Sequence, residues 1–261
     1  VALITGAGRG VGRAIAEGLA EVGAETVLVA RTEREVKGAA EAAGRFGRRA
    51  LPLVADISNG TDRAQLVQTV LDRFNQIDIL VNAAAVGWPG EDRAQAPTGQ
   101  EFLRTPMEEW AEVTTLNLDA TAALTQLVAQ QMIHLGGGKI INLTSAGGHH
   151  ATEGFSAYGA SRAAMEQLTQ TLAHELGHHG IHINCIALGR IVTEPDADGG
   201  FWSAERRVAV GQQIAIGRVG DEFDVAPLAV YLASDASDYV TGETIALDGG
   251  GYVHSPLESA P

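Results

Sequence analysis

The stretch T5-G-A-G-R-G-V-G12 leaves one apolar run, residues 1–4, and enters a helical pattern over residues 11–22. Glycines at such a junction let the backbone approach a pyrophosphate, which then sits at the positive end of the following helix. A glycine-rich turn can also be a plain strand-to-helix connection, so its surroundings decide. Short apolar runs without alternation recur at 26–30, 50–54, 79–82, 139–143, 181–186 and 244–247, and read as strands buried on both faces. Helical patterns lie between them at 62–74, 107–135, 157–177 and 222–233. Thr105 before Pro106 reads as a helix cap followed by proline at the first helical position. The expectation is an α/β fold: one Rossmann-type domain over residues 1–261, with a doubly wound parallel sheet of about seven strands.

The 261 residues and 45% hydrophobic composition suit one domain with a substantial core. Eighteen Lys and Arg against 32 Asp and Glu leave a formal charge of −14, which argues against nucleic acid or an anionic membrane as partner. No apolar run approaches the roughly 18 residues needed to span a bilayer, and no leader pattern precedes the first strand. A cytoplasmic enzyme is expected, with a few residues missing before Val1. Cys185, the one cysteine, lies in an apolar run and reads as a buried small hydrophobe. No metal-ligand spacing is present, so no metal is expected.

Tyr158 and Arg162 stand four residues apart, thirteen residues after Ser145. In a helix they share one face, which places a phenol beside a fixed cation. A tyrosine hydroxyl has a pKa near ~10 in water and needs a positive neighbour to act as an acid or base around neutrality. Arginine supplies that charge but cannot readily pass a proton on. Each residue has a plainer reading: Ser145 as a strand-end serine, Tyr158 as a packed aromatic, Arg162 as a solvated helix arginine. The spacing, and the small neighbours Gly159, Ala160 and Ser161, favour catalysis.

The trio resembles Ser-(12 residues)-Tyr-x-x-x-Lys, with arginine at the last position. The first turn matches T-G-x-x-x-G-x-G. Together these motifs resemble the short-chain dehydrogenase/reductase family, nearest its ketoacyl reductases and sugar-alcohol dehydrogenases. The resemblance runs along almost the entire chain. Asp56 in V-A-D-I, followed by Ile57, matches the position that contacts adenine. Asn82 matches the first residue of N-N-A-G, with Ala83 and Ala85 replacing the second Asn and the Gly. Asn117 matches a helix asparagine whose backbone carbonyl holds a water of the proton relay. A187-L-G-R-I-V-T193 matches A-P-G-x-I-x-T, with Leu188 in place of proline, and puts Ile191 and Thr193 at the nicotinamide. T241-G-E-T-I-A-L-D-G-G250 matches the last strand, which makes Asp248 a structural turn residue.

The resemblance implies a nicotinamide nucleotide held by Gly6, Arg9, Gly10, Val11, Gly12, Arg31, Thr32, Asp56, Ile57, Asn82, Tyr158, Arg162, Ile191 and Thr193. At the end of the second strand Ala30 stands where a carboxylate would bind a ribose 2′-hydroxyl and repel a 2′-phosphate. Arg31, Thr32 and Arg9 favour NADP(H) over NAD(H), although Glu33 opposes and Arg31 could be merely solvated. Residues 86–105 and 194–215 are expected to form substrate-site loops or a lid. Trp88, His149, Phe155 and Trp202 are candidate substrate contacts, with Phe102 and Phe201 nearby. His149 and His150 could equally mark a solvated loop.

These readings converge on an oxidoreductase that interconverts a ketone and a secondary alcohol, with Asn117, Ser145, Tyr158 and Arg162 as its catalytic set. A non-redox dehydratase, isomerase or cyclase is the alternative that loss of the relay lysine motivates. A binding or regulatory pseudoenzyme is the third, and Ser145, Tyr158 and Asn117 argue against it. Leu124, Leu127, Val128, Leu168, Leu172 and Leu176 read as more apolar surface than one sheet can cover. Family resemblance turns that surplus into an expected homotetramer.

Overall fold

The computed structural model describes residues 1–87, 102–152, 154–193 and 202–252. Strands β1 (Ala2–Thr5), β2 (Thr26–Ala30), β3 (Ala50–Val54), β4 (Ile79–Asn82), β5 (Gly138–Ser145), β6 (Ile181–Leu188) and β9 (Thr244–Leu247) form one parallel sheet. Their order is β3-β2-β1-β4-β5-β6-β9. The order reverses between β1 and β4, and in such sheets the crevice beyond the carboxyl ends at that point takes the ligand. Two short strands, β7 (Ile191–Val192) and β8 (Gly220–Asp221), pair separately.

Helices cover both faces, and the strands' two-residue period divides their side chains between them. Ala2, Ile4 and Ile141 pack with Ile15 and Leu19 of α1 (Gly10–Glu21), Val36 of α2 (Glu33–Gly44) and Val225 of α8 (Glu222–Ala233). Leu3 and Ile140 face the other way, onto Leu66 and Val70 of α3 (Gly60–Phe74), Leu124 of α5 (Thr121–Leu135) and Ala173 of α6 (Ser156–Leu176). Asn82, fully inside the second layer, donates to Thr125 Oγ1 at 3.0 Å and to Asn142 Oδ1 at 2.8 Å. Asn142 donates onward to Thr169 at 2.8 Å, and Thr169 meets Cys185 Sγ at 3.1 Å. This chain ties β4, β5 and β6 to two helices through hydrogen bonds between buried side chains, with Asn82 Oδ1 left unpartnered among the described residues. Burial pushes the Cys185 thiol up to about 11, so it stays neutral in ordinary conditions.

Several expectations are corrected. β3 is an edge strand with Val54 exposed, not a strand buried on both faces, and there Pro52 costs no ladder bond to a further neighbour. β5 and β6 run on to Ser145 and Leu188, which pair in register. α2 was not among the expected helices: its buried face is built from Val36 and small alanines, a weak periodic signal. α7 (Ala204–Gly211) falls in the stretch 194–211 that resembles the family's substrate-binding helices. The pattern over 107–135 is not one uniform helix. It is α4 (Met107–Thr114), a π-helical stretch Thr115–Ala120, and then α5. Pro106, not Thr105, is the cap of α4, and its side chain can accept nothing. Leu124 and Val128 lie fully inside this chain's own core, so they add nothing to a surface for a partner.

Among the described residues no helix is long and apolar enough to cross a membrane, and no group of three or more His, Cys, Asp or Glu is placed to hold a metal ion.

Candidate active site

α1 begins with Arg9 in extended conformation and no side-chain cap, so the unpaired N–H groups of its first turn are left to a ligand. The turn before it is closed tightly. Gly6 has φ +63°, and a Cβ on Gly6 would stand 2.8 Å from the Ala84 backbone. A Cβ on Gly12 would stand 2.4 Å from the Gly6 carbonyl oxygen. Thr5 pins the turn to the exit of β4 by accepting from Ala83 N at 3.0 Å and Ala84 N at 3.2 Å. A cleft of about 330 Å³ opens at this point.

Of the fourteen residues expected to hold a nucleotide, all but Asn82 line this cleft. Asn82 instead spends its side-chain amide in the buried chain described above. At the far end of the cleft lie Arg9, Arg31, Thr32 and Asp56. Burial alone would raise the Asp56 carboxyl, but hydrogen bonds from the Ser58 N–H and hydroxyl, with the nearby Arg31 cation, hold it below the usual carboxylate range. Glu33 is paired with Lys37 at 2.6 Å and does not line the cleft. Glu35 was not singled out from the sequence. A Cβ on Gly8 would lie 3.4 Å from its carboxylate oxygen, so Glu35 faces the glycine turn.

The cleft is also lined by Ser145, Tyr158, Arg162, Ile191, Thr193 and Trp202, and a Cβ on Gly10 would stand 3.2 Å from Thr193 Cγ2, beside the glycine turn. Ser145 ends β5 and accepts from Gly147 N at 3.1 Å. A Cβ on Gly147 would be 3.5 Å from Ser145 Oγ and 3.9 Å from Tyr158 Cε1, so serine and tyrosine flank the same small volume. A Cβ on Gly159 would be 2.9 Å from the Gly147 oxygen, which explains glycine next to the tyrosine: it lets the loop lie down on α6. Arg162 is 5% exposed. It donates to the Leu143 carbonyl at 3.2 Å, and its guanidinium carbon lies 4.7 Å from the centroid of the Tyr158 ring. The cation therefore sits against the phenol face, in the arrangement that attracts a charge to an aromatic ring. Arg162 Nε has no partner among the described residues.

Asn117 does not line the cleft; it braces it. It lies in the π-helical stretch, where helical backbone bonds are rearranged and functional residues often occur. Its side chain exchanges two bonds with the Val86 backbone, at 2.9 and 3.0 Å, and donates to Ser161 Oγ at 3.2 Å. Ser161 in turn donates to the Tyr158 carbonyl at 2.7 Å. Asn117 thus locks the exit of β4 to the helix that carries the tyrosine.

His149 and Phe155 line a second hollow beside the first, together with Phe102 and His150. His150 stacks on Tyr252 with ring centroids 4.5 Å apart. His149 turns inward and pairs with Glu166 of α6. Trp88 and Phe201, with residues 88–101 and 194–201 of the two expected substrate loops, lie outside the described residues. Asp248 accepts from Gly250 N at 2.8 Å and Tyr252 N at 3.1 Å, as a turn residue should.

Residues 6–252 match the family model described as "Enoyl-(Acyl carrier protein) reductase". The 2-dehydro-3-deoxy-D-gluconate 5-dehydrogenase of Dickeya dadantii is 37% identical over 251 residues, covering 96% of this chain and 94% of that one. The 3-oxoacyl-acyl-carrier-protein reductase FabG of Vibrio cholerae is 32% identical over 253 residues, covering 97% of each. Among solved structures, a 7α-hydroxysteroid dehydrogenase complexed with NADH and 7-oxoglycochenodeoxycholic acid superposes with a TM-score of 0.86 at 30% identity, covering 96% of this chain and 93% of that one.

Proposed function

Because the chain belongs to the short-chain dehydrogenase/reductase family, and so is an oxidoreductase acting on a carbonyl or alcohol, we propose that it is an NADP(H)-dependent ketoreductase with Tyr158 as its acid and base. The observation that carries this reading is that Ser145, Tyr158 and Arg162 line the same cleft as an uncapped, glycine-lined helix start. That turn fits a pyrophosphate, since the backbone comes closest where glycine leaves room. Arg9, Arg31 and Thr32 would hold the far end of the nucleotide, while Ile191, Thr193 and Arg162 would hold the nicotinamide end. Bound there, the nicotinamide supplies or accepts the hydride.

The remaining chemistry belongs to the side chains. Ser145 accepts from Gly147 N, which leaves its own O–H to donate to a substrate oxygen. In the reductive direction Tyr158 gives its proton to that oxygen, and Arg162 stabilises the phenolate left behind. In the oxidative direction the same phenolate takes the proton back. The guanidinium holds its charge throughout and relays no proton. Asn117 acts as a brace that fixes Tyr158 relative to the cleft floor.

The substrate is a bulky ketone or secondary alcohol, with His149, Phe155, Trp202 and Trp88 as its candidate contacts. On this reading residues 1–261 form one nucleotide-binding domain, and residues 86–105 and 194–215 close over the substrate. A cytoplasmic homotetramer is part of the proposal. Its support is family membership and the half-buried Leu127, Leu168, Leu172 and Leu176, not Leu124 or Val128.

The preference for NADP(H) rests on Arg9 and Arg31, with Ala30 ending β2 and Glu33 held by Lys37, against Glu35 on the other side. Arg31→Ala should weaken NADPH binding by ~1.5–3 kcal/mol, the scale of a charge-assisted hydrogen bond, and barely change NADH. Calorimetric titration of both nucleotides measures this. Equal losses would remove Arg31 from the 2′-phosphate site.

A further inference from the structure

Glu166 is a buried carboxyl for which the proposed reaction has no use. It is 6% exposed and stands one helical turn beyond Arg162 on α6. A charged group so placed is costly unless something on the protein answers it. The groups that face it come from every surrounding element. His149, from the loop after β5, pairs with one carboxylate oxygen. Arg162 acts on it through its charge, without a direct ion pair. Thr144 of β5 reaches toward the carboxyl without completing a bond of ordinary geometry, so Thr144 Oγ1 and Glu166 Oε1 remain unpartnered. Cys185 of β6 is neutral there. A Cβ on Gly148 would stand 3.2 Å from Glu166 Oε1, so the loop carrying His149 is seated directly on the carboxyl.

Arg162 and Glu166 are therefore two buried ionisable groups one turn apart on one helix face. Arg162 Nε and Glu166 Oε1 both lack a hydrogen-bond partner, and the guanidinium is drawn the other way, to Leu143 O and the Tyr158 ring. We infer that Glu166 is a positioning residue for the acid–base step: its carboxylate offsets part of the Arg162 charge felt at Tyr158, and His149 links that balance to the substrate mouth. This rests on the proposed role of Arg162. His149 is suited to the link because its side chain is 45% exposed and lines the outer hollow while its ring nitrogen meets Glu166.

Burial raises the Glu166 carboxyl above its ordinary value, outweighing Thr144, His149 and Arg162, which favour the charged form. A carboxyl raised in the folded state supports folding below its unfolded pKa of about 4.3 and loses that support as pH rises through the folded value. An ionised Glu166 is therefore a cost to stability.

The test uses Glu166→Gln, which keeps an acceptor for His149 and removes the charge. The readouts are the pH profile of kcat/KM for NADPH oxidation with one accepted ketone, kcat and KM separately, and thermal unfolding at about pH 5 and about pH 8. With the offset gone, Arg162 stabilises the phenolate more strongly, so the alkaline limb should move down by about one pH unit. The gain in Tm over the parent should be larger at the higher pH. His149→Gln, at a half-exposed loop position, should move the limb the same way by less, and it decides the matter if Glu166→Gln fails to fold. Arg162→Met should move the limb upward. An unmoved limb in Arg162→Met overturns the role given to Arg162 itself. A limb raised in Arg162→Met but unmoved in folded Glu166→Gln, or in His149→Gln where Glu166→Gln does not fold, overturns this inference alone.

Discussion

Tyr158→Phe is expected to lower ketone reduction by ~10²–10⁴-fold while nucleotide binding stays near that of the parent. The magnitude is that of removing a positioned general acid. The hydroxyl is the only atom lost, and the ring keeps its packing near Gly87, where a Cβ would stand 3.6 Å from Tyr158 Cδ2, and its contact with the Arg162 guanidinium. Asn117 and Ser161 hold the helix backbone rather than the phenol oxygen, so the cleft should keep its shape. Stopped-flow or steady-state rates of NADPH oxidation, with nucleotide affinity measured separately, check this. A Phe variant with the parent's rate would remove Tyr158 from the chemistry.

The second large effect is expected at the glycine turn that opens α1. Gly12→Val places a branched side chain where even a Cβ meets the Gly6 oxygen at 2.4 Å. That contact is with backbone, which cannot rotate away as a flexible side chain could. The turn between β1 and α1 must open, and the N–H groups that would hold a pyrophosphate move with it. Overpacking of this kind costs roughly 1–3 kcal/mol in stability. The larger consequence should be loss of measurable NADPH binding by calorimetry, in a protein whose circular dichroism still reports the α/β fold. Normal affinity in this variant would mean that the glycine turn is a plain connection.

The seven-stranded sheet was legible because its strands, the partly exposed edges β3 and β9 included, leave short apolar runs, and because glycine at 6, 10 and 12 marks the first crossover. The clustering of Ser145, Tyr158 and Arg162 was legible for a related reason: one strand end and one helical turn fix it, and both are local. What escaped notice was not local. The inward turn of Asn82 depends on Thr125 and Asn142, which lie 43 and 60 residues away in sequence. Glu35 reaches the glycine turn across a strand-to-helix connection, and α2 that carries it buries mostly alanine. Glu166 looks like an ordinary helix glutamate until β5, β6 and the His149 loop are packed around it. The break in the 107–135 pattern has no sequence mark either, since a π-turn uses the same residues as the helix it interrupts. The surplus of leucine on α5 and α6 was overcounted because periodicity cannot say how deep a side chain sits. Leu124 is fully inside, whereas Leu172 and Leu176 are half-buried.

The central claim is hydride exchange between NADPH and a ketone within one cleft, with Tyr158 handling the proton. Its most direct test supplies NADPH carrying deuterium at the transferable position to a panel of ketones, and follows both nucleotide absorbance and label in the product. The expected result is one nucleotide oxidised and one deuterium on the new carbinol carbon for each alcohol formed. Product formed with no change in absorbance and no transferred label would contradict it, and would assign Ser145 and Tyr158 to a reaction without net redox.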